Sequence, residues 1–351
     1  MFHQAAELTD LPQGRRDKKI LITGASGFIG SHLVEEGLRR GYTVYAGVRP
    51  GSKRDFLRLE SLRFFQMDLT SPQLMERRFR HFARLEGGFD YIVHNAGITR
   101  ARRKEDFQLV NDGYTRHLLN AVSEAGRLPE KFVFISSLAA GGPGDPLHFT
   151  PIHLSDPDHP LSAYAKSKLS AEHYIKSIAE FPYIIIRPTA VYGPRDKDFL
   201  TLFRLLNKGV EPLVGRYPQK LSLIYVKDLA RTVVQLLEAG RVRTSWLVSD
   251  GVAYNKEDLG NTLRNVLNRQ TIKIRLPLAP VRAAAFCMEK TYSLFDRMPF
   301  LHLDKLKEMA APNWLCDSHE IWEELGIQPL YTLESGLQEA ASWYDQNGWL
   351  R

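Results

Sequence analysis

Tyr164 and Lys168 stand four residues apart in Ser162-Ala-Tyr-Ala-Lys-Ser-Lys168. The stretch is helical in pattern, so both side chains project from one face. An ammonium beside a phenol favours the phenolate. Such a tyrosine can take a proton from an alcohol as hydride leaves, or return one in reduction. A Tyr-x-x-x-Lys pair alone is common, and context decides its meaning. Upstream, Phe132-Val-Phe-Ile-Ser-Ser137 ends an apolar run in two hydroxyls, as expected at the carboxyl edge of a sheet where ligands bind. Ser137 is placed to hold a substrate oxygen, with Ser136 as the alternative. A strand-end cap is the plain structural role of either.

A hydride needs a carrier, and the N-terminal region offers a cradle for one. Lys18-Lys-Ile-Leu-Ile-Thr-Gly-Ala-Ser-Gly-Phe-Ile-Gly30 sets Gly24, Gly27 and Gly30 between a strand and a helix. The first permits a tight turn, the second lets backbone approach a pyrophosphate, and the third lets helix and strand pack closely. Ser26, Phe28 and Ile29 fill the turn, and the following helix aims its amides at the phosphates. A purely structural βα turn is the alternative. The acidic residue expected about twenty positions on for the adenosine ribose is absent, and Val48-Arg-Pro-Gly-Ser-Lys-Arg54 stands there. Arg49, with Lys53, can grip a 2′-phosphate. The expected cofactor is therefore NADP, with NAD as the alternative and a solvated basic loop as the bland reading. Asp68 could hydrogen-bond adenine or cap the next turn.

The elements that must position these groups follow an α/β rhythm. Strands are expected at 20–23, 43–48, 63–67, 91–94, 132–136 and 184–187, with helices at 28–40, 74–85, 107–124 and 162–180. The strands are apolar throughout, as when both faces are covered. The fold class is α/β: a Rossmann-type doubly wound parallel sheet with a smaller, mostly helical C-terminal substrate lobe. Residues 1–17 read as a polar tail. Residues 18–190 form the nucleotide-binding domain, which also receives about 221–250. The lobe takes 191–220 and 251–351. Within those parts the pattern predicts a helix at 199–208, a strand at 221–226, a helix at 228–238, a strand at 246–248 and an apolar helix at 276–294.

Composition limits the function classes. The 351 residues are 44% hydrophobic and 25% charged, which is ordinary globular usage. Cys287 and Cys316 fit no metal spacing, and two cysteines are weak grounds for a disulfide, so a reducing compartment is expected. Residues 1–17 lack a signal-peptide core, which gives a cytoplasmic expectation. No apolar stretch is long enough to span a bilayer. The formal charge of +7 favours anionic partners in general, but no nucleic-acid motif accompanies it. His148, His153 and His159 share one loop without a metal-ligand spacing, and no metal is expected.

In chain order, Thr23-Gly-x-x-Gly-x-x-Gly30, His94-Asn-Ala-Gly97, Ser136-Ser137 and Tyr164-x-x-x-Lys168 resemble the short-chain dehydrogenase/reductase superfamily. Arg187-Pro-x-x-Val-Tyr-Gly-Pro194, Tyr225-Val-Lys-Asp228 and the ending from Leu325-Gly to Trp343-Tyr are similar to its extended, epimerase/dehydratase-type branch. The resemblance runs from about Lys18 to the C-terminus. It implies that Asp68, Leu69, Asn95, Ala96 and Gly97 lie along the cofactor and that Pro188 and Thr189 flank the nicotinamide. It implies that Lys168 also holds the nicotinamide ribose, and that Asn111 supports the lysine through a water or main-chain contact. A helix N-terminal cap is the other role open to Asn111, and a structural helix cap is expected of Asp228. A homodimer through the Phe107 and Tyr164 helices is implied too, and core packing is the other role open to those faces.

Three departures from the nucleotide-sugar members bear on the substrate. Where those read Arg-x-Phe-Asn, this chain has Arg187-Pro-Thr-Ala190; where they read Arg-Asp-Phe, it has Leu221-Ser-Leu223. No acidic residue follows Ser137. Arg195 and Arg216 could restore charge from another direction. With the Arg187-Pro188 form, the Arg49 loop and the apolar helix, which could equally be core packing, the chain resembles the dihydroflavonol reductase and 3β-hydroxysteroid dehydrogenase branch. The leading expectation is an NADP-preferring alcohol dehydrogenase or carbonyl reductase for an apolar small molecule. A sugar or nucleotide-sugar epimerase, dehydratase or reductase is the second. A cofactor-binding scaffold or redox sensor without turnover is the third, and an intact Ser137-Tyr164-Lys168 set argues against it.

Overall fold

The computed structural model describes residues 17–215, 218–294 and 303–350. The expected polar tail, but for Asp17, and Arg216 lie outside the described residues. The chain alternates strand and helix as β1 (Lys19–Thr23), α1 (Phe28–Arg39), β2 (Thr43–Val48), β3 (Arg63–Gln66), α2 (Pro72–Glu86), β4 (Tyr91–His94), α3 (Lys104–Phe107), α4 (Tyr114–Ser123), β5 (Lys131–Ile135), α5 (Ala163–Ser177) and β6 (Tyr183–Pro188). These strands pair in parallel, in the order 6-5-4-1-2-3. Parallel pairing demands a crossover for each strand, and the helices supply it on both faces. One face packs Ile20, Ile22, Leu33 and Val34 together; the other packs Leu21, Phe132, Phe134 and Ile175. That double coverage explains the apolar inner strands; β3, at the sheet edge, buries Phe65 and leaves Arg63, Phe64 and Gln66 exposed.

Beyond β6 come β7 (Ala190–Tyr192), α6 (Lys197–Asn207), β8 (Val210–Val214), β9 (Lys220–Leu221), β10 (Leu223–Tyr225), α7 (Val226–Ala239) and β11 (Thr244–Val248). β11 returns to pair with β6 and completes a seven-stranded sheet. The rest is β12 (Tyr254–Asn255), α8 (Lys256–Leu267), β13 (Ile272–Leu276), α9 (Leu278–Leu294), α10 (Leu303–Ala310), β14 (Asn313–Trp314), α11 (His319–Leu325) and α12 (Leu333–Gln346). A second core of Tyr192, Phe203, Tyr225, Leu263, Leu337 and Tyr344 holds this part together.

Four expectations needed revision. The helix expected at 107–124 begins at Lys104 and is interrupted by a π-helical turn, Gln108–Gly113, which buries Asn111 and Asp112. The strand expected at 221–226 breaks at Ser222, whose backbone amide donates to the Trp314 carbonyl and whose hydroxyl accepts from the Cys316 amide. Leu276 ends β13 rather than starting a helix. α9 is also mostly exposed, burying Val281 and Ala285, so core packing accounts for little of its apolar surface. Finally, α11 puts Ile321, Trp322 and Leu325 into the sheet's own core against α7 and β11, so the segment sides with the nucleotide-binding half.

Candidate functional site

The glycine-rich turn follows β1. Gly24 takes a φ of +65°, and a β-carbon there would lie 2.9 Å from the Ala96 backbone. A β-carbon on Gly30 would collide with the Gly24 carbonyl. Gly27 is the N-cap of α1 and has no side chain to occupy the first amides. These amides, with the helix dipole behind them, form an anion cradle. The residues present therefore fit a dinucleotide pyrophosphate, with Ser26, Phe28 and Ile29 around the turn.

Beside it, a buried chain of hydrogen bonds fixes the neighbouring loop. The Thr23 hydroxyl accepts from the amides of Asn95 and Ala96, at 3.1 and 3.0 Å, and meets Nδ1 of His94 at 2.8 Å. Nε2 of His94 meets the Thr115 hydroxyl, which donates to the Asn111 carbonyl at 2.7 Å. With Thr115's proton committed, His94 must donate from Nε2 and accept at Nδ1. Burial holds this imidazole neutral, its pKa pushed down to about 3. The Asn95-Ala96-Gly97 backbone is thereby tied to the turn, a link that the His94-Asn-Ala-Gly97 motif hinted at without specifying.

α5 begins at Ser162, whose hydroxyl caps the helix by accepting from the Ala165 amide at 3.0 Å. Tyr164 sits in its first turn, half-buried. Burial pushes the phenol up to about 12; hydrogen bonding to Ser137 pulls it down, and Glu308 pushes it further up. Lys168, one turn on, is buried. Its Nζ donates to the Ile135 carbonyl at 2.8 Å and lies 4.8 Å from the Phe134 ring centre. Burial lowers its pKa to about 8, with the Glu172 charge opposing the drop. A β-carbon on Gly97 would lie 2.9 Å from Asn111 Oδ1 and 3.4 Å from Lys168 Nζ, so the glycine lets the loop, the asparagine and the lysine meet. Asn111 does not cap a helix. It accepts from the Ile98 amide at 2.8 Å and donates to the Ile98 carbonyl and the Ser167 hydroxyl, each at 3.0 Å.

The two serines have different environments. Ser136 is buried, and its hydroxyl donates to Glu172. Ser137 is half-buried, accepts from the Ala139 amide at 3.2 Å and faces Tyr164. Pro188 ends β6, and Thr189 is pinned to the Val248 carbonyl by its amide, at 3.0 Å, and by its hydroxyl. Arg49 and Lys53 lie exposed past β2, where Arg49 donates its amide to Ser52 at 3.1 Å. Asp68 accepts from the amide and hydroxyl of Thr70. Leu69 is buried beside it, and its carbonyl meets His117.

Several neighbours of the site have partners that the sequence did not show. Arg187, buried in β6, makes a bidentate pair with Glu172, at 2.8 and 2.9 Å, and a second bond to Asp158 at 2.8 Å. These partners hold its charge firmly, against the pull of burial. Glu172 lies four residues after Lys168, so helical spacing could have drawn attention to it. α10 supplies Glu308, which accepts from the Ser162 hydroxyl, and Asp304, which accepts from the Ala163 amide at 3.2 Å. Nothing local marks residues some 140 positions away. Arg195, considered as a spare cation for a substrate, is committed to α1 through Ser31 at 2.9 Å and through Glu35. Asp228 caps no helix of its own and accepts from the Leu330 and Tyr331 amides.

Comparison with known proteins agrees with this architecture. A ceramide reductase of Caulobacter vibrioides is 28% identical over 334 residues, covering 94% of this chain and 96% of that protein. A UDP-glucose 4-epimerase of Vibrio cholerae is 28% identical over 344 residues, with 94% and 96% covered. The structure of a UDP-glucose 4-epimerase of Thermotoga maritima, solved with UDP-glucose, superposes with a TM-score of 0.74 over 94% of this chain and 99% of that one, at 22% identity. Residues 20–248 match the NAD dependent epimerase/dehydratase family. With the glycine cradle, the Tyr164–Lys168 pair and the parallel sheet that joins them, the chain belongs to that family, and is an NAD(P)-dependent enzyme of the extended short-chain dehydrogenase/reductase type.

Proposed function

We propose that the chain is an NADP(H)-preferring alcohol dehydrogenase or carbonyl reductase for an apolar small molecule, working in the cytoplasm as a homodimer. The observation that carries this reading is the convergence of Ser137, Tyr164 and Lys168 beside the glycine cradle. The bound nicotinamide supplies or accepts hydride. Every other requirement falls to this chain. Ser137 orients the substrate oxygen, and Tyr164 donates its phenolic proton to that oxygen in reduction or takes it in oxidation. Lys168 favours phenolate by its charge and reaches the nicotinamide ribose, while Asn111 and Gly97 fix the space around it. Gly24, Ser26, Gly27, Phe28, Ile29 and Gly30 hold the pyrophosphate. Asp68, Leu69, Asn95 and Ala96 line the adenosine side, and Pro188 and Thr189 back the nicotinamide. Arg49 and Lys53, exposed and without the usual acid between them and a ribose, suit a 2′-phosphate. The polar tail 1–17, a nucleotide-binding part of 18–190 with 221–250, and a substrate part of 191–220 and 251–351, to which α11 is an exception, complete the assignment.

The Vibrio and Thermotoga proteins favour a second reading, an epimerase of nucleotide sugars. Against it stand Ala190, exposed in β7, Leu221 in β9, and Arg195 engaged by α1. Each missing polar contact to a charged ligand forfeits about 1.5–3 kcal/mol; two lower affinity by about two or more orders of magnitude. Calorimetric titration of the NADP-loaded protein with UDP, dTDP and GDP tests this. Micromolar binding in the pocket beside Tyr164 would replace the reductase reading by the epimerase one. Turnover on a panel of apolar ketones and aldehydes tests the chemistry: Tyr164→Phe should lose about 10²–10⁴-fold while binding cofactor as before. Retention of a tenth of parental activity would remove Tyr164 from its role.

A further inference from the structure

β13 and α9 form a thin outer layer whose burial is unusually poor for its composition. Among the described residues β13 pairs with β8 alone. α9 reaches inward with Val281 and Ala285, against Leu306 of α10. Outward, Ile272 is 74% exposed and Phe286 50%, and Ile274, Leu278 and Tyr292 are exposed as well. Leu278, Arg282, Phe286 and Lys290 are spaced four apart, so they run as one stripe along the helix, and Lys290 Nζ lies 5.8 Å from the Phe286 ring centre. The charge is one-sided. From Arg269 to Met288 the chain carries Arg269, Lys273, Arg275 and Arg282 and no acidic residue. Among the described residues no ion pair engages Lys273, Arg275 or Arg282.

We propose that this β13–α9 face docks on an anionic lipid bilayer. Apolar side chains interleaved with cations match the boundary between acyl chains and anionic headgroups, and the one carboxylate of α9, Glu289, is engaged by α10, accepting from the Leu303 amide at 2.7 Å. The aliphatic stems of the cations can lie along apolar surface while their charges reach the headgroups. A protein interface fits Lys273 and Lys290 less well, since buried interface cores are depleted in lysine. Attachment is peripheral, because no described helix is long and apolar enough to cross a membrane. A cleft of about 170 Å³ opens beside the layer, between Pro277–Leu278 and Met309–Pro312. Glu308 and Asp304 of α10 meet the start of the Tyr164 helix. Resting on the reductase reading above, this places a membrane-dissolved substrate one helix away from the reacting tyrosine.

The test is sedimentation of the full, NADP-loaded chain with sucrose-filled vesicles. Vesicles of equal parts phosphatidylglycerol and phosphatidylcholine are compared with phosphatidylcholine alone. The parent should sediment with the anionic vesicles, and added salt should release it. One cation near the surface contributes about 1 kcal/mol, or about fivefold. The combined Lys273→Ala, Arg275→Ala, Arg282→Ala variant should therefore bind roughly a hundredfold more weakly. Ile274→Asp with Phe286→Asp should abolish binding while keeping the parental thermal shift on NADP addition, which shows that the fold is intact. The proposal is overturned by a parent that stays in the supernatant, or by variants that bind as the parent does. It is equally overturned by a dimer in light scattering that the two aspartates split, because a second copy then covers this face. None of these readouts involves turnover, so failure of the docking proposal and failure of the reductase reading are separately visible.

Discussion

Replacing Lys168 by methionine tests both the burial of its charge and its place in the site. Lys168 is 5% exposed, and burial moves its pKa from 10.5 to about 8. At about 1.36 kcal/mol per unit, keeping that charge inside the fold costs about 3 kcal/mol at pH 7. The sign follows from proton counting. Between pH 8 and 10.5 the unfolded chain binds the proton and the folded chain does not, so stability from this group rises with pH. The cost is complete below pH 8 and gone above 10.5. Methionine removes it, but leaves the Ile135 carbonyl without its 2.8 Å donor, a loss of about 1–3 kcal/mol. The variant should therefore match or exceed the parent at pH 7 and fall below it near pH 10.5. The difference should swing by about 3 kcal/mol, or about 4 °C in melting temperature for a chain of this length. Thermal unfolding of both proteins across this range measures it, since the other titrating groups cancel in the difference. Parallel curves, with a swing under about 1 kcal/mol, would refute the buried-ammonium argument. Cofactor affinity should drop in the variant at every pH.

Arg49→Ala with Lys53→Ala should weaken NADP(H) and leave NAD(H) nearly unchanged, because only the former carries the 2′-phosphate; fluorescence titration with both cofactors checks it, and equal or better NAD binding by the parent sinks the assignment. Ser137→Ala and Ser136→Ala should separate cleanly. The first should cut turnover by about 10²–10³, as loss of a positioned hydrogen-bond donor does, with only the small drop in melting temperature that losing the acceptor of the Ala139 amide brings. The second should destabilise by about 1–3 kcal/mol, because it takes a buried donor from Glu172. Reversal of the two effects would exchange the serines' roles.

What the sequence made legible was local. Gly24, Gly27 and Gly30 report a backbone shape within one turn, and Tyr164 and Lys168 report one helix face, so spacing alone carries both. The sheet was legible because strands covered on both faces are apolar along most of their length, as Ile20–Ile22, Tyr91–Val93 and Tyr183–Ile186 are in β1, β4 and β6. Three kinds of feature were hidden. The π-helical turn depends on Asn111 finding Ile98 and Ser167, a tertiary event that periodicity does not encode. The break at Ser222 depends on the backbone of β14 and Cys316, more than 90 residues later. The surface of α9 looked like core or substrate lining because hydrophobicity has no address, and only the fold shows it facing outward. The same distance effect governs the tyrosine. Ser137, whose place the strand-end motif marks, acts to favour phenolate. Burial and Glu308, which no motif announces, act against it and win, leaving the phenol at about 12. A group so placed keeps its proton at neutral pH, which suits it to give that proton to a carbonyl oxygen; for it to act as a base, the positive charge of an oxidised nicotinamide must first shift this balance.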